Sequence, residues 1–243
     1  MSLIAQTLHV SRSNLIAQVR RPAKPRGPYG KAGDAALLAL IREIVDQRAS
    51  YGYRRVTALV NRQLTAHGKP RVNAKRVLRI MRLHSLTLEK HTARRPGRTH
   101  DGVVIALRSN VRWCSDHLEI QCRNGEVVRV LFAIDACDRE IIAWSAVTGA
   151  GISGEMVRDL MIACVERRFG TTRTPHPVEW LSDNGICEAL VKTLRRDYIR
   201  LAVLPDAASA MVLLPGWIED YNEVHPHSRL RFLSPREFRR LSA

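Results

Sequence analysis

The sequence has no long apolar run and few cysteines, and each shortage excludes a class of protein. No stretch approaches the roughly 18 apolar residues of a membrane helix, and nothing resembles a signal peptide, so no membrane partner is expected. The cysteines are odd in number and form no Cys-x-x-Cys pair, which predicts reduced thiols in a cytoplasmic protein rather than a disulfide framework. They are Cys114, Cys122, Cys137, Cys164 and Cys187.

Acidic and aromatic residues are also scarce. Lys and Arg together number 39 against 23 Asp and Glu, which gives a net charge of +16. This excess indicates a polyanionic partner, most often nucleic acid. With only four Phe and five Tyr and no aromatic pair of the kind that stacks on bases, an RNA-binding sheet is disfavoured. The 45% hydrophobic content provides a sizeable core and argues against global disorder.

Residues 1–20 contain two short stretches with helical apolar spacing, joined by the turn "HVS". Their apolar side chains are expected to pack across the turn, and Ser11 can cap the second stretch. Arg12 and Asn14 would then face solvent or DNA, as in a partial helix-turn-helix whose second helix enters a major groove. An ordinary helical hairpin fits equally well. Residues 21–33, with three prolines and three glycines, are predicted to be a linker.

Residues 34–90 are predicted to form three helices, because apolar residues recur there at helical spacing in three stretches. The third helix opens at Asn73. Its predicted inward residues are Val77, Ile80, Met81 and His84. Its predicted outward residues are Lys75, Arg76, Arg79 and Arg82. This basic face indicates a DNA-binding unit, with a merely solvated face as the alternative. Residues 91–110 are basic without apolar periodicity and are predicted to be a second linker.

In residues 111–243 the apolar period becomes alternating, which is typical of strands. Three strands, the first two joined at the Asn-Gly hairpin signal "RNGE", precede a helix near 153–169 and a fourth strand at "PVEWLS". A right-handed crossover can lay the fourth strand parallel to the first, which predicts an α/β mixed sheet with a helix on one face. Residues 186–242 are predicted to be helical, with breaks at "LPDA", "LPG" and "HPHSRLRFLSP".

Three acidic residues stand where strands and a helix are expected to meet. Alternation places Asp116 among apolar residues on one face of the first strand, where an acid is unfavourable unless paired or metal-bound. Asp183 ends the fourth strand, and Glu188 lies in the first turn of a helix starting near Gly185. Carboxylates brought together at strand ends need a cation, and such clusters suit Mg²⁺-dependent phosphoryl transfer. The alternative is an Asp that caps a turn and a Glu that favours the helix dipole.

Five segments occur in a fixed order along the chain: "YGYRRVTALVNRQL", "RWCSDHLEI", "EWLSDNG", "EALVKTLRRDY" and "YNEVHPHSRLRFLSPREF". Together they resemble the OrfB-type transposases of bacterial insertion sequences, and the resemblance covers nearly the whole chain. It implies a ribonuclease-H-like mixed sheet preceded by helical DNA-binding segments. It also implies an Asp-Asp-Glu triad that holds two Mg²⁺, or Mn²⁺ in their place. By motif, Asp116, Asp183 and Glu188 are that triad.

The resemblance further implies how the chain meets its substrate. The partner would be double-stranded DNA, both the element ends and the target, bound by a homo-oligomer in the bacterial cytoplasm and nucleoid. Lys192 lies one helical turn after Glu188, so it would approach the same DNA. Arg195 and Arg196 are assigned to that surface too. The implied activity is transposition, with Mg²⁺-dependent cleavage and transfer of DNA strands and integration of the element.

The chain departs from this family between the second Asp and the Glu. Family members separate them by roughly 35 residues that hold a helix, the fifth strand and an active-site loop. Here only "NGIC" intervenes, as if two Asn-Gly sites had been fused by an internal deletion. We therefore expect a sheet without its fifth strand and weak or absent transposition. The alternative function is a catalytically dead DNA-binding remnant that occupies element ends.

Two further pairs of polar residues have structural interpretations. His225 and His227 suggest a metal site, but no suitable Cys or His lies nearby, so packing at a helix end is favoured. Asp135 and Asp138 flank a turn between strands and are interpreted as turn residues rather than ligands.

Overall fold

The computed structural model describes residues 2–20, 30–89, 106–149, 151–182 and 185–242. The triad candidate Asp183 therefore lies outside the described residues, as does most of each predicted linker. Within the described ranges, no helix is long and apolar enough to cross a bilayer.

The N-terminal segment forms two short helices, α1 (Ser2–Thr7) and α2 (Arg12–Arg20). The predicted cap of α2 is confirmed, because the Ser11 hydroxyl accepts a hydrogen bond from the backbone N–H of Asn14 at 3.2 Å. The expected apolar packing across the turn is wrong. Leu3 is 78% exposed, since helices of 6 and 9 residues have too little apolar surface to cover one another. The other exposed apolar residues here include Ile4, Leu8 and Val10.

A three-helix unit follows, made of α3 (Asp34–Gln47), α4 (Tyr53–Ala66) and α5 (Ala74–Leu83). Its core forms as the apolar periodicity predicts. The buried residues include Leu37, Ile41, Ile44, Val56, Val60, Val77, Ile80 and Met81. Asn73 caps α5 by accepting the backbone N–H of Lys75 at 2.8 Å. The predicted burial of His84 is wrong, because α5 ends at Leu83 and His84 is its exposed C-cap.

The sheet contains β1 (Arg112–Gln121), β2 (Val127–Asp135), β3 (Ile141–Thr148) and β4 (Glu179–Ser182). Their order is β3-β2-β1-β4, with β1 antiparallel to β2, β2 antiparallel to β3, and β4 parallel to β1. The hairpin between β1 and β2 turns at Gly125, whose φ of 87° is a left-handed conformation that favours glycine. The predicted mixed sheet is confirmed, with four strands among the described residues.

Helices cover both faces of this sheet. On one face, α6 (Gly154–Phe169) packs against apolar side chains that include Trp113. On the other face, α7 (Gly185–Asp197) and α8 (Ala207–Glu223) cover a cluster that includes Cys114 and Leu118. Because β1 side chains alternate between the faces, Asp116 lies on the α7 side. The prediction of a helix on one face is thus extended to both.

The expected break at "LPG" is wrong, because α8 runs through Pro215 without interruption. A proline inside a helix removes one backbone hydrogen bond and normally kinks or ends the helix. Here Leu214 and Ile218 lie in the core beside the proline, and their burial holds the helix together. The chain then ends in α9 (Pro235–Ser242).

The three-helix unit docks on α7 and α8 through a set of polar contacts that we call the seam. Arg48 forms an ion pair with Asp220, and Tyr51 OH lies 2.8 Å from His225 Nδ1. Arg55 Nη1 contacts the buried Asp197 Oδ2 at 3.0 Å. Buried charges are tolerated only when paired. The seam therefore connects the helical unit to α7, the helix that carries Glu188.

Burial sets the protonation state of the aromatic residues in the seam. It raises the pKa of Tyr51 to about 12, so the Tyr51 hydroxyl keeps its proton. Burial, reinforced by the positive charge of Arg55, lowers the pKa of His225 far below its ordinary value. His225 is therefore neutral and its Nδ1 can accept the Tyr51 hydrogen bond. His227, whose Nε2 lies 2.7 Å from Tyr221 OH, has a pKa lowered to about 4 by burial. Packing of this histidine pair at a helix end is confirmed.

Candidate functional site

Asp116 lies in the middle of β1, on the face covered by α7. Its carboxylate accepts the backbone N–H of His117 at 2.7 Å, and His117 Nδ1 lies 3.7 Å from the same oxygen. The side chain remains 27% exposed although Cys114 and Leu118, its neighbours on this face, are buried. Asp116 is therefore fixed by the strand and still accessible to water and ions.

Strand β4 is held in register beside the residues that precede Asp116. Ser182 is the parallel partner of Ser115, and Trp180 Nε1 donates a hydrogen bond to the Ser115 hydroxyl at 2.8 Å. The last described residue before the gap at 183–184 thus stands next to β1. The predicted parallel crossover from β1 to β4 is confirmed.

Helix α7 begins against β1 next to Asp116. Cys187, in its first turn, is buried and packs in the same core cluster as Cys114 of β1. This contact and burial raise the pKa of the Cys187 thiol, and the negative charge of Asp116 adds to the effect. Glu188 follows directly and is 45% exposed, with its Oε2 2.8 Å from Lys192 Nζ. The first turn of α7 therefore lies on the face of the sheet that carries Asp116, and Glu188 extends from it at the protein surface.

The described residues supply two of the three predicted metal ligands. Asp183 is outside them, and among the described residues no group of three His, Cys, Asp or Glu side chains is arranged to hold a metal ion.

The basic residues assigned to DNA on α7 differ in their availability. Lys192 is 69% exposed but forms an ion pair with Glu188. Arg196 donates two hydrogen bonds to Asp197, both at 2.6 Å. Arg195 is exposed. Of the three, Lys192 and Arg195 present the more accessible charges.

The predicted outward face of α5 needs a correction. Arg76 and Arg79 turn back to α3 and form ion pairs with Asp34, and their side chains are 27% and 28% exposed. The Lys31 backbone N–H, followed by these two arginines, holds the pKa of the Asp34 carboxyl well below its usual range. The reason is that α3 starts opposite this part of α5, a proximity that local spacing does not reveal. Lys75 and Arg82 are exposed as expected.

The N-terminal candidates Arg12 and Asn14 are both exposed on α2. Their accessibility agrees with the predicted placement toward solvent or DNA.

Asp135 and Asp138 serve the turn between β2 and β3. Asp135 accepts the backbone N–H groups of Asn110 and Cys137, both at 2.7 Å. Asp138 is fully buried and paired with Arg168 of α6, whose Nη1 lies 3.0 Å from Asp138 Oδ2. Their interpretation as turn residues is confirmed, and the partner Arg168 was not identified from the sequence.

Comparisons with known proteins agree with this architecture. A model of the "HTH-like domain" family matches residues 32–94, and one of the "Integrase core domain" family matches residues 106–212. The transposase InsD of insertion element IS2 from Escherichia coli is 41% identical over 277 aligned positions, which cover 100% of this chain and 92% of the relative. An uncharacterized protein of insertion element IS136 from Agrobacterium fabrum is 54% identical over 186 positions, covering 64% and 95%.

Two solved structures share a weaker likeness. The Mos1 transposase catalytic domain has a TM-score of 0.34 at 14% identity and covers 45% of this chain and 71% of its own. A simian T-cell lymphotropic virus intasome has a TM-score of 0.40 at 14% identity, covering 82% and 73%. The assignment rests on the sequence relatives instead. The chain belongs to the insertion-element transposases that join a helix-turn-helix-like segment to an integrase core.

Proposed function

We propose that this chain binds the ends of its insertion element and that Asp116, Asp183 and Glu188 hold divalent cations, Mg²⁺ or Mn²⁺, for DNA cleavage. One observation carries this proposal. The first turn of α7 packs on the face of β1 that carries Asp116, because Cys187 and Cys114 share one buried core cluster, although only four residues separate the second acid from the third.

The lengths of the alignments support an internal deletion in this copy. The InsD alignment covers 100% of this chain over 277 positions, so it exceeds the 243 residues of the chain by 34 positions without a counterpart here. The IS136 alignment agrees. Its 186 positions cover 64% of the 243 residues of this chain, about 156 residues, so about 30 positions have no counterpart here. Both differences are close to the length expected for the segment that joins the second Asp to the Glu.

Chain length does not prevent the three acids from meeting. Five residues span at most about 17 Å, and carboxylates that share a cation approach to within about 4–5 Å. Ser182 is paired with Ser115 at one end of the gap, and Cys187 packs in the same core cluster as Cys114 at the other. Both ends of the short connection are thus tied to β1 within two residues of Asp116.

The available side chains suit a hard divalent cation. Asp116 and Glu188 offer carboxylate oxygens that are partly exposed, the ligand type that Mg²⁺ prefers. A bound cation would stabilise the negative charge that develops on phosphate oxygens during strand cleavage. Asp116 would be held in position by β1 and by the His117 N–H. Glu188 would have to release Lys192, whose ammonium would then be free for a DNA phosphate.

The deletion favours weak cleavage, and it keeps a second function open. Catalysis tolerates little misplacement, and a shift of about 1 Å can lower a rate about 100-fold. In this chain Glu188 is paired with Lys192, and no long active-site loop connects β4 to α7. A DNA-binding remnant that occupies element ends and interferes with intact transposase is therefore the second candidate.

DNA contact would be spread over several exposed cations. On α5 these are Lys75 and Arg82, on α2 Arg12 with Asn14, and on α7 Lys192 and Arg195. Arg76, Arg79 and Arg196 are engaged in ion pairs within the chain and would contribute less. In this proposal residues 34–90 form the main unit that contacts the element ends, and a homo-oligomer forms on element-end and target DNA in the nucleoid.

DNA binding is expected to be independent of metal and of the acids. In buffer with EDTA, the affinity for an element-end duplex should fall steeply as salt rises, because bound cations displace counterions from phosphates. The triple substitution Asp116→Asn, Asp183→Asn and Glu188→Gln should leave Kd unchanged or lower. Fluorescence anisotropy measures both, with a shuffled duplex as the control for sequence preference. A Kd that does not change with salt concentration, or loss of binding in the triple variant, would refute this part of the proposal.

A further inference from the structure

A cleft of about 440 Å³ opens where α4 and the start of α5 meet the loop before α9. It lies on the helical unit next to the seam and is separate from Asp116 and Glu188. Its polar lining includes Arg54, Thr57, Arg62, Arg71, Arg231 and Glu237. Four guanidinium groups facing one carboxylate give the cleft a strong positive charge, which suits a polyanion.

The single carboxylate in the cleft is already neutralised. Glu237 forms an ion pair with Arg62 and accepts the backbone N–H of Ser234 at 2.8 Å. Arg62 also donates to the backbone carbonyl of Val224 at 3.0 Å. These two side chains therefore join α4 to the C-terminal region and leave the remaining cations of the cleft without a counter-charge.

The remaining cations have few partners of their own. Arg54 contacts only the neighbouring Tyr53 among the described residues: its Nε donates a 3.1 Å hydrogen bond to Tyr53 OH, and its guanidinium lies 5.7 Å from the centroid of that ring. For Arg71 and Arg231, no side-chain hydrogen bond or ion pair is present within the part of the chain that the structure describes. Both are exposed. Such guanidinium groups are available for phosphate oxygens, which they contact in a bidentate manner.

The loop that presents Arg231 is held in an uncommon conformation. Arg231 and Phe232 have φ values of 55° and 65°, in the left-handed region that non-glycine residues rarely adopt. Backbone hydrogen bonds from Phe232 N–H to the His227 carbonyl at 2.7 Å and from Leu233 N–H to the Leu230 carbonyl at 2.9 Å fix the loop. Conformations of this kind persist only where the surrounding structure enforces them, and they cluster at functional sites.

The rest of the lining is small or apolar. Ala58 and Ala74 are small, and Phe232 and Leu233 are apolar. Arginines combined with small and apolar side chains suit the alternating phosphate and sugar groups of a DNA strand. An enclosed small anion would instead need buried donors that converge on one point, whereas Arg71 and Arg231 are both exposed and come from separate segments of the chain.

We propose that this cleft binds the phosphodiester backbone of double-stranded DNA through Arg54, Arg71 and Arg231, in addition to the basic residues predicted from the sequence. The inference rests on the proposed DNA-binding function and names a surface for it. A strand in the cleft contacts both the helical unit and the C-terminal loop. Bound DNA would therefore hold the two sides of the seam together.

The test is the double substitution Arg71→Ala and Arg231→Ala in the full chain. Each phosphate contact contributes about 0.9 to the slope of log K against log salt, so we expect the slope to fall by about 2 and the affinity by about tenfold. The readout is anisotropy of a fluorescein-labelled duplex at several salt concentrations. Lysine at both positions should restore most of the slope, because the charges return.

The matched control removes two charges elsewhere, with Arg158→Ala and Arg173→Ala on the α6 side of the sheet, where both residues are exposed. Thermal unfolding of each variant verifies that it is folded. The inference is overturned if the cleft variant binds with the slope of the parent chain, or if the control loses as much. Failure of the parent chain to bind any duplex would instead refute the proposed function itself.

Discussion

Insertion, between Asn184 and Gly185, of the segment that we propose this chain has lost is expected to raise DNA strand cleavage at least about 100-fold. The segment would come from the InsD transposase, which aligns over the whole chain. The gain is expected because the longer connection lets Glu188 orient toward Asp116 without the constraint of a four-residue link. The measurement is Mg²⁺-dependent cleavage of a labelled element-end duplex.

Two controls test whether a gain in cleavage comes from the structure of the inserted segment or only from a longer connection between Asp183 and Glu188. A Gly-Ser insert of equal length should give little gain, because it provides no fifth strand or active-site loop. The chimera that also carries Asp116→Asn should lose the gain entirely, since one of the proposed metal ligands is missing. Equal activity of the Gly-Ser and InsD inserts, or an active Asp116→Asn chimera, would contradict the deletion account.

Acid is expected to destabilise the fold through two histidines, His225 in the seam and His227 next to it. The pKa of His227 is about 4 in the folded chain, against about 6.5 for an unfolded histidine. Between these values the unfolded chain binds a proton that the folded chain does not, so stability is present above pH 6.5 and is lost as the pH falls. The loss at pH 4 is about 3 kcal/mol for this residue alone. His225, whose pKa is lowered further by burial, adds to it.

Urea unfolding at pH 7 and pH 4 measures this loss, with His227→Gln as the comparison. Glutamine can keep a hydrogen bond to Tyr221 but does not titrate. The variant should therefore lose about 3 kcal/mol less than the parent chain between the two pH values. Equal losses would show that His227 is not buried in its neutral form, and the account of the seam would have to be revised.

The strands, and the face of β1 on which Asp116 lies, were predictable because their signals are mostly local. Alternating side chains along β1 place Asp116 on a definite face, and the crossover rule makes β4 parallel to β1. The start of α7 at Gly185 follows from a turn signal and a helical period that are adjacent in sequence. Neighbouring residues carry each of these patterns, so one sequence is enough to find them.

The contacts that the sequence did not reveal join residues far apart along the chain. Arg55 and Asp197 are separated by 142 residues, and Arg76 and Asp34 by 42. The apolar periodicity of the sequence does not predict such ion pairs, because they depend on how the helices pack against one another. The same reason explains Pro215, where burial of Leu214 and Ile218 outweighs a local helix breaker. The seam and the cleft beside it could therefore be identified only from the three-dimensional structure.

The convergence of the acids on a divalent cation is tested most directly by titrating this chain with Mn²⁺ and following free Mn²⁺ by electron paramagnetic resonance. The parent chain should bind Mn²⁺, and Asp116→Asn and Glu188→Gln should each weaken binding at least about tenfold. His117→Ala, next to Asp116 but not a proposed ligand, should have little effect. Identical Mn²⁺ affinity in the parent chain and both acid variants, or no binding by the parent chain, would contradict the assignment.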